Sequence, residues 1–395
     1  MDHPQDVAIL NPEVQAVRAE LPAVQTQAYL NTGTCGPLPD RSVRAATAEV
    51  QRELTDGRSS PKYFERLHDI SAEAREHFAD LLGCSIQEIA LTHNTTEGMN
   101  IAVMGLDWRP GDEVITSRYE HPGGLYPAYL LRQRYGVTVR MTDAGNPDRN
   151  PVDEIRAVLS SRTKAILLSH VSWSTGMVLP IREIAELAHS VGAYLICDAA
   201  QSGGMVATDV RALGVDAYAC SGQKWLCGPD GTGALYVRES LLGEMRQTFM
   251  GYHSVRPGMT DFAGNFIPAE GAGRFEVATI TPFALSALNT SLAWMRKDLG
   301  LKWIHNRITY LGKYCYDRLQ SVQGVRMITP VDAMCGLVHF TIPGADVPAL
   351  AAKLVERGIT VRHTPFPLAL RVSAGFYNTE DDIERLAVAL ESLIH

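Results

Sequence analysis

The sequence lacks the features of a membrane or secreted protein. No apolar run approaches the roughly 20 residues that a membrane-spanning helix requires. The N-terminal segment MDHPQDVAIL has neither the basic nor the apolar region of a signal peptide. Internal repeats and low-complexity segments are also absent. We therefore expect a cytoplasmic globular protein that makes no membrane contact.

Cysteine and lysine are both limited in ways that narrow the chemistry. None of the 7 cysteines forms a C-x-x-C pair or a Cys/His cluster with zinc spacing, so we expect reduced thiols and no metal site. Only seven of the 36 basic residues are lysines, which leaves few candidates for lysine-dependent chemistry. The net charge of −8 argues against nucleic acid as a partner.

The order of apolar and amphipathic segments predicts an α/β fold. Short, continuously apolar strands alternate with helices between residues 30 and 285, as is typical of a mostly parallel sheet covered on both faces. We expect this large domain to be followed by a small α+β domain over 286–395. The N-terminal segment, 1–29, contains a helical pattern and a short strand, and we expect it to pack with the small domain.

Two charged residues follow buried strands of the predicted sheet. Lys224 lies in the segment SGQKW, before a glycine-rich turn, and Asp198 ends the apolar strand AYLICD. Ligands of α/β proteins bind at this carboxyl edge, where a desolvated lysine has a lowered pKa and forms Schiff bases. An aspartate there calls for a cation such as a protonated pyridine nitrogen. An ordinary surface lysine and a helix N-cap are the alternative interpretations.

Two further segments are predicted at the same edge. Thr95 and Thr96 begin a helix after a strand, and hydroxyls and free N–H groups at a helix N-terminus bind phosphate. His121, in the segment EHPG, follows another strand and could stack on an aromatic ring. A plain capping box and a polar loop histidine are the alternatives. The four signals together describe a site for pyridoxal phosphate.

At this point the sequence resembles a known family, the class-V, fold-type I pyridoxal-phosphate enzymes. Its members include cysteine desulfurases, isopenicillin N epimerases and cystine or cysteine-conjugate C–S lyases, and the resemblance is greatest to the last two. It extends along nearly the whole chain. The motifs that carry it are T-x-NTTEG (92–98), EHPG (120–123), LSHV (168–171), DAAQS (198–202), SGQKW (221–225), GP-x-G (228–231), RFEVAT (274–279), RVS (371–373) and YNT (377–379).

The resemblance implies a role for each matching residue. Lys224 would hold the cofactor covalently and then move protons. Asp198 would keep the pyridine nitrogen protonated, so that the ring withdraws electrons. His121 would stack on the ring, and Gln201 would reach its phenolic oxygen.

It also implies ligands for the phosphate and the substrate. Candidate phosphate ligands are Thr95, Thr96, Ser221 and Gln223, with Thr279 contributed by the neighbouring subunit of a homodimer that shares its active sites. The substrate is expected to be a small amino acid, whose α-carboxylate Arg371 and Arg362 would bind through a bidentate fork. Further candidate substrate contacts are Trp173 and Ser174.

Three departures from the family pattern bear on the reaction. Gln223 stands where relatives commonly have histidine, and Ser174 stands where many have asparagine. Gln223 can donate to phosphate but cannot titrate, and Ser174 would alter the electronics at the phenolic oxygen. Desulfurases carry a persulfide-forming cysteine before the carboxylate-binding arginine, yet the segment 362–370 has none.

We therefore expect a C–S β-lyase acting on cysteine S-conjugates or cystine-like amino acids. Its products would be a thiol or persulfide, pyruvate and ammonia. Epimerisation, transamination and decarboxylating deamination stay open as alternatives. Epimerisation needs a second acid–base group, for which the candidates are His363 and the pair Tyr252-His253. A non-catalytic cofactor-binding protein is a more remote alternative. The segment 250–273 could shape the substrate pocket across a dimer.

Overall fold

A sheet of seven strands forms the centre of the protein. The computed structural model describes residues 12–261 and 263–394. A first short strand, β1 (Ala28–Tyr29), lies outside this sheet. The seven strands are β2 (Ile89–Thr92), β3 (Glu113–Ser117), β4 (Thr138–Thr142), β5 (Thr163–Ser169), β6 (Tyr194–Asp198), β7 (Ala217–Ser221) and β8 (Gly233–Val237).

The sheet has the spatial order β2-β8-β7-β6-β5-β3-β4. Its strands pair in parallel except that β8 runs antiparallel to both β2 and β7. The connection from β7 to β8 spans only residues 222–232, which is too short for the crossover that a parallel pair requires. The expected mostly parallel, helix-flanked sheet is confirmed.

Helices cover both faces of this sheet. Alternate residues of β5 enter two different apolar clusters, Ile166 and Leu168 on one face and Ala165 and Leu167 on the other. The helices up to residue 300 are α1 (Pro12–Ala19), α2 (Asp40–Asp56), α3 (Pro61–Leu82), α4 (Thr95–Met104), α5 (Pro122–Tyr135), α6 (Pro151–Arg156), α7 (Ile181–His189), α8 (Val210–Leu213), α9 (Glu239–Leu242), α10 (Pro282–Ala293), the 3-10 helices Pro22–Gln25, Ile86–Glu88 and Gly271–Phe275, and the π-helix Trp294–Leu299.

The C-terminal part is a small α+β layer. After the hairpin strands β9 (Val255–Thr260) and β10 (Phe266–Pro268), its elements are α11 (Leu301–Gln320), β11 (Arg326–Met327), β12 (Leu337–Thr341), α12 (Val347–Glu356), β13 (Ile359–Thr360), β14 (Arg362–Pro365), β15 (Leu368–Ser373) and α13 (Glu380–Ile394). Four strands form the order β11-β12-β15-β14, and β1 pairs in parallel with β13. Arg18 of α1 forms an ion pair with Asp382 of α13 at 3.1 Å. The domain boundaries after residues 29 and 285 stay predictions.

Some elements differ from those the sequence predicts. The sequence pattern predicts helices over 152–160 and 285–299. The first of these helices ends at Arg156, and the second begins at Pro282 and finishes in a π-helical turn. The segment 250–273 contains the β9–β10 hairpin. Among the described residues, no helix is long and apolar enough to cross a membrane. Within the same ranges, no cluster of potential metal ligands occurs.

Candidate active site

A cavity of about 230 Å³ opens at the carboxyl ends of the central strands. It contains every site residue that the sequence predicts except Ser174 and Thr279. Its walls also contain residues that sequence reasoning missed. The lining is formed by Gly33, Thr34, Asn94, Thr95, Thr96, His121, Trp173, Asp198, Ala200, Gln201, Ser221, Gln223, Lys224, Arg362 and Arg371.

Lys224 and Asp198 are the central charged pair of the cavity. Lys224 lies just beyond β7, and Asp198 ends the neighbouring strand β6. Burial lowers the pKa of Lys224 to about 8, and the Asp198 carboxylate partly offsets this effect. Burial raises the pKa of Asp198, against which the Ala200 N–H (2.9 Å) and Lys224 stabilise the ionised form. The lysine is therefore closer to its neutral, nucleophilic form at physiological pH than a solvated lysine is.

Unpaired polar groups line the cavity at the N-terminus of α4 and at the end of β7. The side-chain oxygen atoms of Thr95 and Ser221 and the amide oxygen of Gln223 are buried and have no protein hydrogen-bond partner. Asn94 caps the helix by accepting from the Glu97 N–H at 2.9 Å. Gly98 lets α4 pack closely on β7, because an added Cβ would lie 2.9 Å from that of Ala219. Buried hydroxyls at a positive helix end provide a binding site for an anion such as phosphate.

His121 caps the neighbouring helix α5 and faces the same cavity. Its Nδ1 accepts from the Gly123 N–H at 3.1 Å, so the imidazole is fixed at the start of the helix. Its ring meets the Trp173 indole edge-to-face, with centroids 5.1 Å apart. Desolvation and the charges of Lys224, Arg362 and Arg371 lower the pKa of His121 to about 4. The ring is therefore neutral near pH 7 and suited to stacking.

Two arginines of the C-terminal sheet also line the cavity. Arg371 of β15 is 1% exposed, and its guanidinium donates to Thr34 Oγ1 at 2.6 Å and Asn31 Oδ1 at 3.2 Å. Arg362 of β14 lies beside it in register and donates to Thr34 Oγ1 at 3.2 Å. Burial and the Arg362 charge lower the pKa of Arg371 to about 9. Neither arginine has a carboxylate partner within the described ranges, as expected of a site for an external anion.

Sequence reasoning missed the loop that orients these arginines. Asn31, Gly33 and Thr34 follow β1, and the sequence indicated only a loop broken by glycine and proline. The polar residues Asn31 and Thr34 were the available signal, but nothing local shows that they meet β14 and β15. The pairing of β1 with β13, together with a bridge between Asn31 and Ser373 of β15, brings them together.

Gln201 lies in the cavity with half of its hydrogen-bonding capacity already used. Its Nε2 donates to the Gly33 carbonyl and its Oε1 accepts from Trp225 Nε1, both at 2.9 Å. An amide nitrogen carries two protons, so one remains for a bound molecule. The predicted contact to a phenolic oxygen is compatible with this arrangement and stays a prediction.

Two predicted site residues lie outside this cavity. The Ser174 side chain is buried, and its hydroxyl donates to the Tyr119 carbonyl at 3.3 Å. Thr279 lines a separate groove, where its hydroxyl and N–H lie 2.7 and 2.9 Å from the Tyr252 hydroxyl. His253 lines the same groove. The local sequence did not show that Ser174 turns into the protein interior.

The chain is similar to proteins of known sequence and structure over almost its whole length. The family model described as aminotransferase class-V matches residues 28–386. A probable cysteine desulfurase of Methanothermobacter thermautotrophicus is 30% identical over 394 residues, which cover 95% of this chain and 97% of the relative. The isopenicillin N epimerase of Amycolatopsis lactamdurans is 30% identical over 384 residues, covering 92% and 94%.

A solved structure extends the comparison to a C–S lyase. The complex between the cystine C–S lyase C-DES and its reaction product cysteine persulfide superposes with a TM-score of 0.89 at 28% identity. The similarity covers 94% of this chain and 99% of that one. Another C-DES structure, a mutant with glycine covalently linked to the pyridoxal-phosphate cofactor, also gives a TM-score of 0.89.

Proposed function

The chain belongs to the class-V aminotransferase family, and we propose that it is a C–S β-lyase of L-cysteine S-conjugates or cystine-like amino acids. One water is consumed as the substrate is converted into a thiol or persulfide, pyruvate and ammonia. The observation that carries this choice is the absence of a cysteine from the hairpin that bears Arg362 and Arg371. Similarity to the cystine C–S lyase supports it.

The protein is a pyridoxal-phosphate-dependent enzyme, and the cavity fits that cofactor. The buried, unpaired hydroxyls of Thr95 and Ser221 suit a phosphate. Asp198 supplies a buried carboxylate that would pair with a protonated ring nitrogen. The lowered pKa of Lys224 favours the neutral amine, which is the form that reacts with the cofactor aldehyde. When bound, the cofactor supplies an electron sink for the bonds at the amino acid's α-carbon.

The side chains of this site would bind the substrate, exclude water and transfer a proton. In our proposal, Arg371 binds the α-carboxylate, with Arg362 beside it, and so fixes which α-carbon bond faces the electron sink. Trp173 and His121 close one side of the cavity and exclude water from the reacting atoms. Lys224 takes the α-proton, because among the described residues it is the one basic amine that lines the cavity.

The hairpin beside the arginines lacks the thiol that a direct desulfurase needs. The residues from Arg362 to Ser373 include no cysteine. Cys335 is 3% exposed, with its sulfur 3.5 Å from the Thr309 hydroxyl. Burial raises the pKa of Cys35, the half-buried cysteine on the Thr34 loop, and so disfavours its thiolate. These positions support direct release of a thiol rather than transfer of sulfur to the protein.

Epimerisation is the second candidate, because one relative is an isopenicillin N epimerase. The candidate second bases do not line the cavity with Lys224. His363 is exposed on β14, and Tyr252 and His253 lie in the separate groove. Within one chain, this placement leaves the cavity without any of the proposed second bases.

We also propose that two copies of the chain share their sites. Thr279 lies in a groove of its own, on this chain away from Lys224, and is oriented there by Tyr252. The groove has a volume of about 690 Å³ and is lined largely by apolar side chains. A second copy seated there would bring Thr279 to the partner's phosphate.

A product assay tests the lyase assignment. With pyridoxal phosphate and a panel of L-cysteine S-conjugates, cystine and cysteine, we expect pyruvate, ammonia and thiol or persulfide in equal amounts. A Cys335→Ser variant should retain this activity within about twofold. The substitution changes one atom of a side chain that lies outside the cavity, and such a change should have little effect on turnover. Alanine as the product from cysteine, together with loss of activity in Cys335→Ser, would instead establish desulfuration. A spectral change without pyruvate would point to epimerisation, transamination or decarboxylation.

The lowered pKa of Lys224 predicts the pH dependence of cofactor capture. Because only the neutral amine attacks an aldehyde, the rate of covalent capture by apoprotein should rise with pH and level off above about 8. The rate is measured from the growth of the visible absorption band after pyridoxal phosphate is added. The control is the reaction of pyridoxal phosphate with Nα-acetyl-lysine in the same buffers, where the free cofactor titrates in the same way. The rate of that reaction should level off near pH 10.5, the ordinary pKa of a lysine. Coincident profiles for protein and free lysine would contradict the prediction.

A further inference from the structure

Glu120 is a buried carboxylic acid to which the catalytic scheme gives no role. It lies between β3 and α5, directly before His121, and its side chain is nearly inaccessible, at 6% exposure. It forms no ion pair with any arginine, lysine or histidine in the described ranges. A buried carboxyl without a cation is costly unless it is hydrogen-bonded or protonated.

Both oxygens of Glu120 are hydrogen-bonded to the same residue of a neighbouring strand. The Ser169 N–H donates to one oxygen at 2.9 Å, and the Ser169 hydroxyl donates to the other at 2.6 Å. Ser169 ends β5, where it is in register with Asp198 of β6. The two hydrogen bonds therefore fasten the turn that carries His121 to the strand end beside Asp198.

A glycine at the start of α5, Gly124, also brings this helix close to Asp198. A Cβ on Gly124 would lie 3.1 Å from Asp198 Oδ2, a tight contact that would push the side chains apart by a few tenths of an ångström, so glycine favours this close approach. These contacts hold the N-terminus of α5, which carries His121, at a fixed distance from the end of β6, which carries Asp198. The histidine would contact a face of the cofactor ring, and the aspartate its nitrogen.

We propose that Glu120 is a positioning residue, which clamps the β3–α5 turn to Ser169 and so sets the height of the His121 ring relative to Asp198. Burial, together with the Asp198 charge, raises the pKa of Glu120 to about 8 against the effect of the two Ser169 hydrogen bonds. The acid is therefore largely neutral near pH 7, and its own O–H then donates to the Ser169 hydroxyl in the same contact. A neutral acid leaves Asp198 as the anion that faces the ring nitrogen. The inference rests on the cofactor site of the proposed function, but not on the choice of lysis over epimerisation.

The test compares Glu120→Gln with Glu120→Ala in the full-length protein. Glutamine can accept from the Ser169 N–H and donate to its hydroxyl, so we expect pyridoxal-phosphate affinity within about twofold and an unchanged visible absorbance maximum. Alanine removes both bonds. We expect about tenfold weaker pyridoxal-phosphate binding and a shifted pH titration of the absorbance band, as loss of a buried hydrogen bond predicts.

Glu88→Ala is the matched control. Glu88 is also buried, at 5% exposure, and accepts from the Ser85 N–H at 2.9 Å, but it precedes β2 at the opposite end of the sheet. Its variant should lose thermal stability without altering cofactor affinity or absorbance. Should Glu120→Ala not fold, Ser169→Ala removes the hydroxyl half of the clamp, and a threefold or greater loss of affinity is expected.

The possible outcomes separate this inference from the function it builds on. Unchanged affinity and absorbance in Glu120→Ala, or in Ser169→Ala, would overturn the clamp. Equal losses in the glutamine and alanine variants would also overturn it, because they would show that the charge matters and not the clamp. Wild-type protein that binds cofactor but forms no pyruvate would reject the lyase proposal and leave these comparisons valid. Wild-type protein that binds no pyridoxal phosphate would overturn both.

Discussion

Lys224→Ala is expected to lower kcat by at least about 10³-fold, the range observed when a positioned acid–base group is removed. The effect should be this large because one amine both attaches the cofactor and moves the α-proton. In the part of the chain that the structure describes, no other lysine lines the cavity. The measurement is the rate of pyruvate formation on the best S-conjugate of the panel, together with the visible spectrum. The spectrum should lose the band that depends on covalent attachment.

Lys164→Ala provides the control for a buried lysine on the same sheet. Lys164 is part-buried in β5 and forms an ion pair with Asp112 at 3.5 Å, at the end of the sheet away from the cavity. Its variant should retain both the spectrum and kcat. If Lys224→Ala kept more than about a tenth of the wild-type kcat, another residue would have to be the base.

Asp198→Asn is expected to lower kcat by about 10²- to 10³-fold, comparable to the loss of one preorganised electrostatic contact in other active sites. Asparagine has nearly the same shape and still accepts from the Ala200 N–H. It cannot supply the negative charge that keeps a ring nitrogen protonated. Because the hydroxyls of Thr95 and Ser221 are unaffected, cofactor should still bind. The expected result is therefore a large loss in kcat with a small change in KM.

The Asp198→Asn variant should also change the pKa of Lys224 in a defined direction. The Asp198 carboxylate raises the pKa of Lys224 against the effect of burial. Removing that charge should lower the pKa further, so the pH profile of cofactor capture should level off below about 8. An upward shift of the profile would show that the two side chains are not electrostatically coupled as the geometry indicates.

Asp216→Asn controls for neutralising a buried aspartate. Asp216 precedes β7 at the opposite end of the sheet, accepts from the Leu195 N–H at 2.7 Å and pairs with His189 at 2.9 Å and with Arg238. Its variant should be less stable, because it breaks a buried network. The kcat of the folded protein should not change. Similar losses of kcat in both aspartate variants would refute a specific role for Asp198.

Much of the fold could be predicted because its signals are local. Most strands of the central sheet are short and largely apolar, and glycine, proline and N-cap residues mark where the helices begin and end. The amphipathic pattern at the end of the chain predicts a helix over 380–394, and the structure has a helix with those bounds. Long-range pairing decides the β9–β10 hairpin and the antiparallel direction of β8, and the sequence carries no local signal for either.

The sequence by itself determined the chemical content of the site. Lys224, Asp198, His121 and the Thr95 segment each follow a strand, and parallel strands end at one edge, so their meeting could be inferred from order alone. The resemblance to the class-V family, confirmed by the match over residues 28–386, added the arginines.

Only the tertiary structure decided how those groups are supported and charged. The β1–β13 pairing brings Asn31 and Thr34 to Arg371, and the β5–β6 register places the Glu120–Ser169 contact beside Asp198. Burial then sets the pKa values of Lys224 and Glu120 near 8. Contacts between distant segments and the loss of solvent around a charge depend on the packed chain, and no local pattern of residues encodes them.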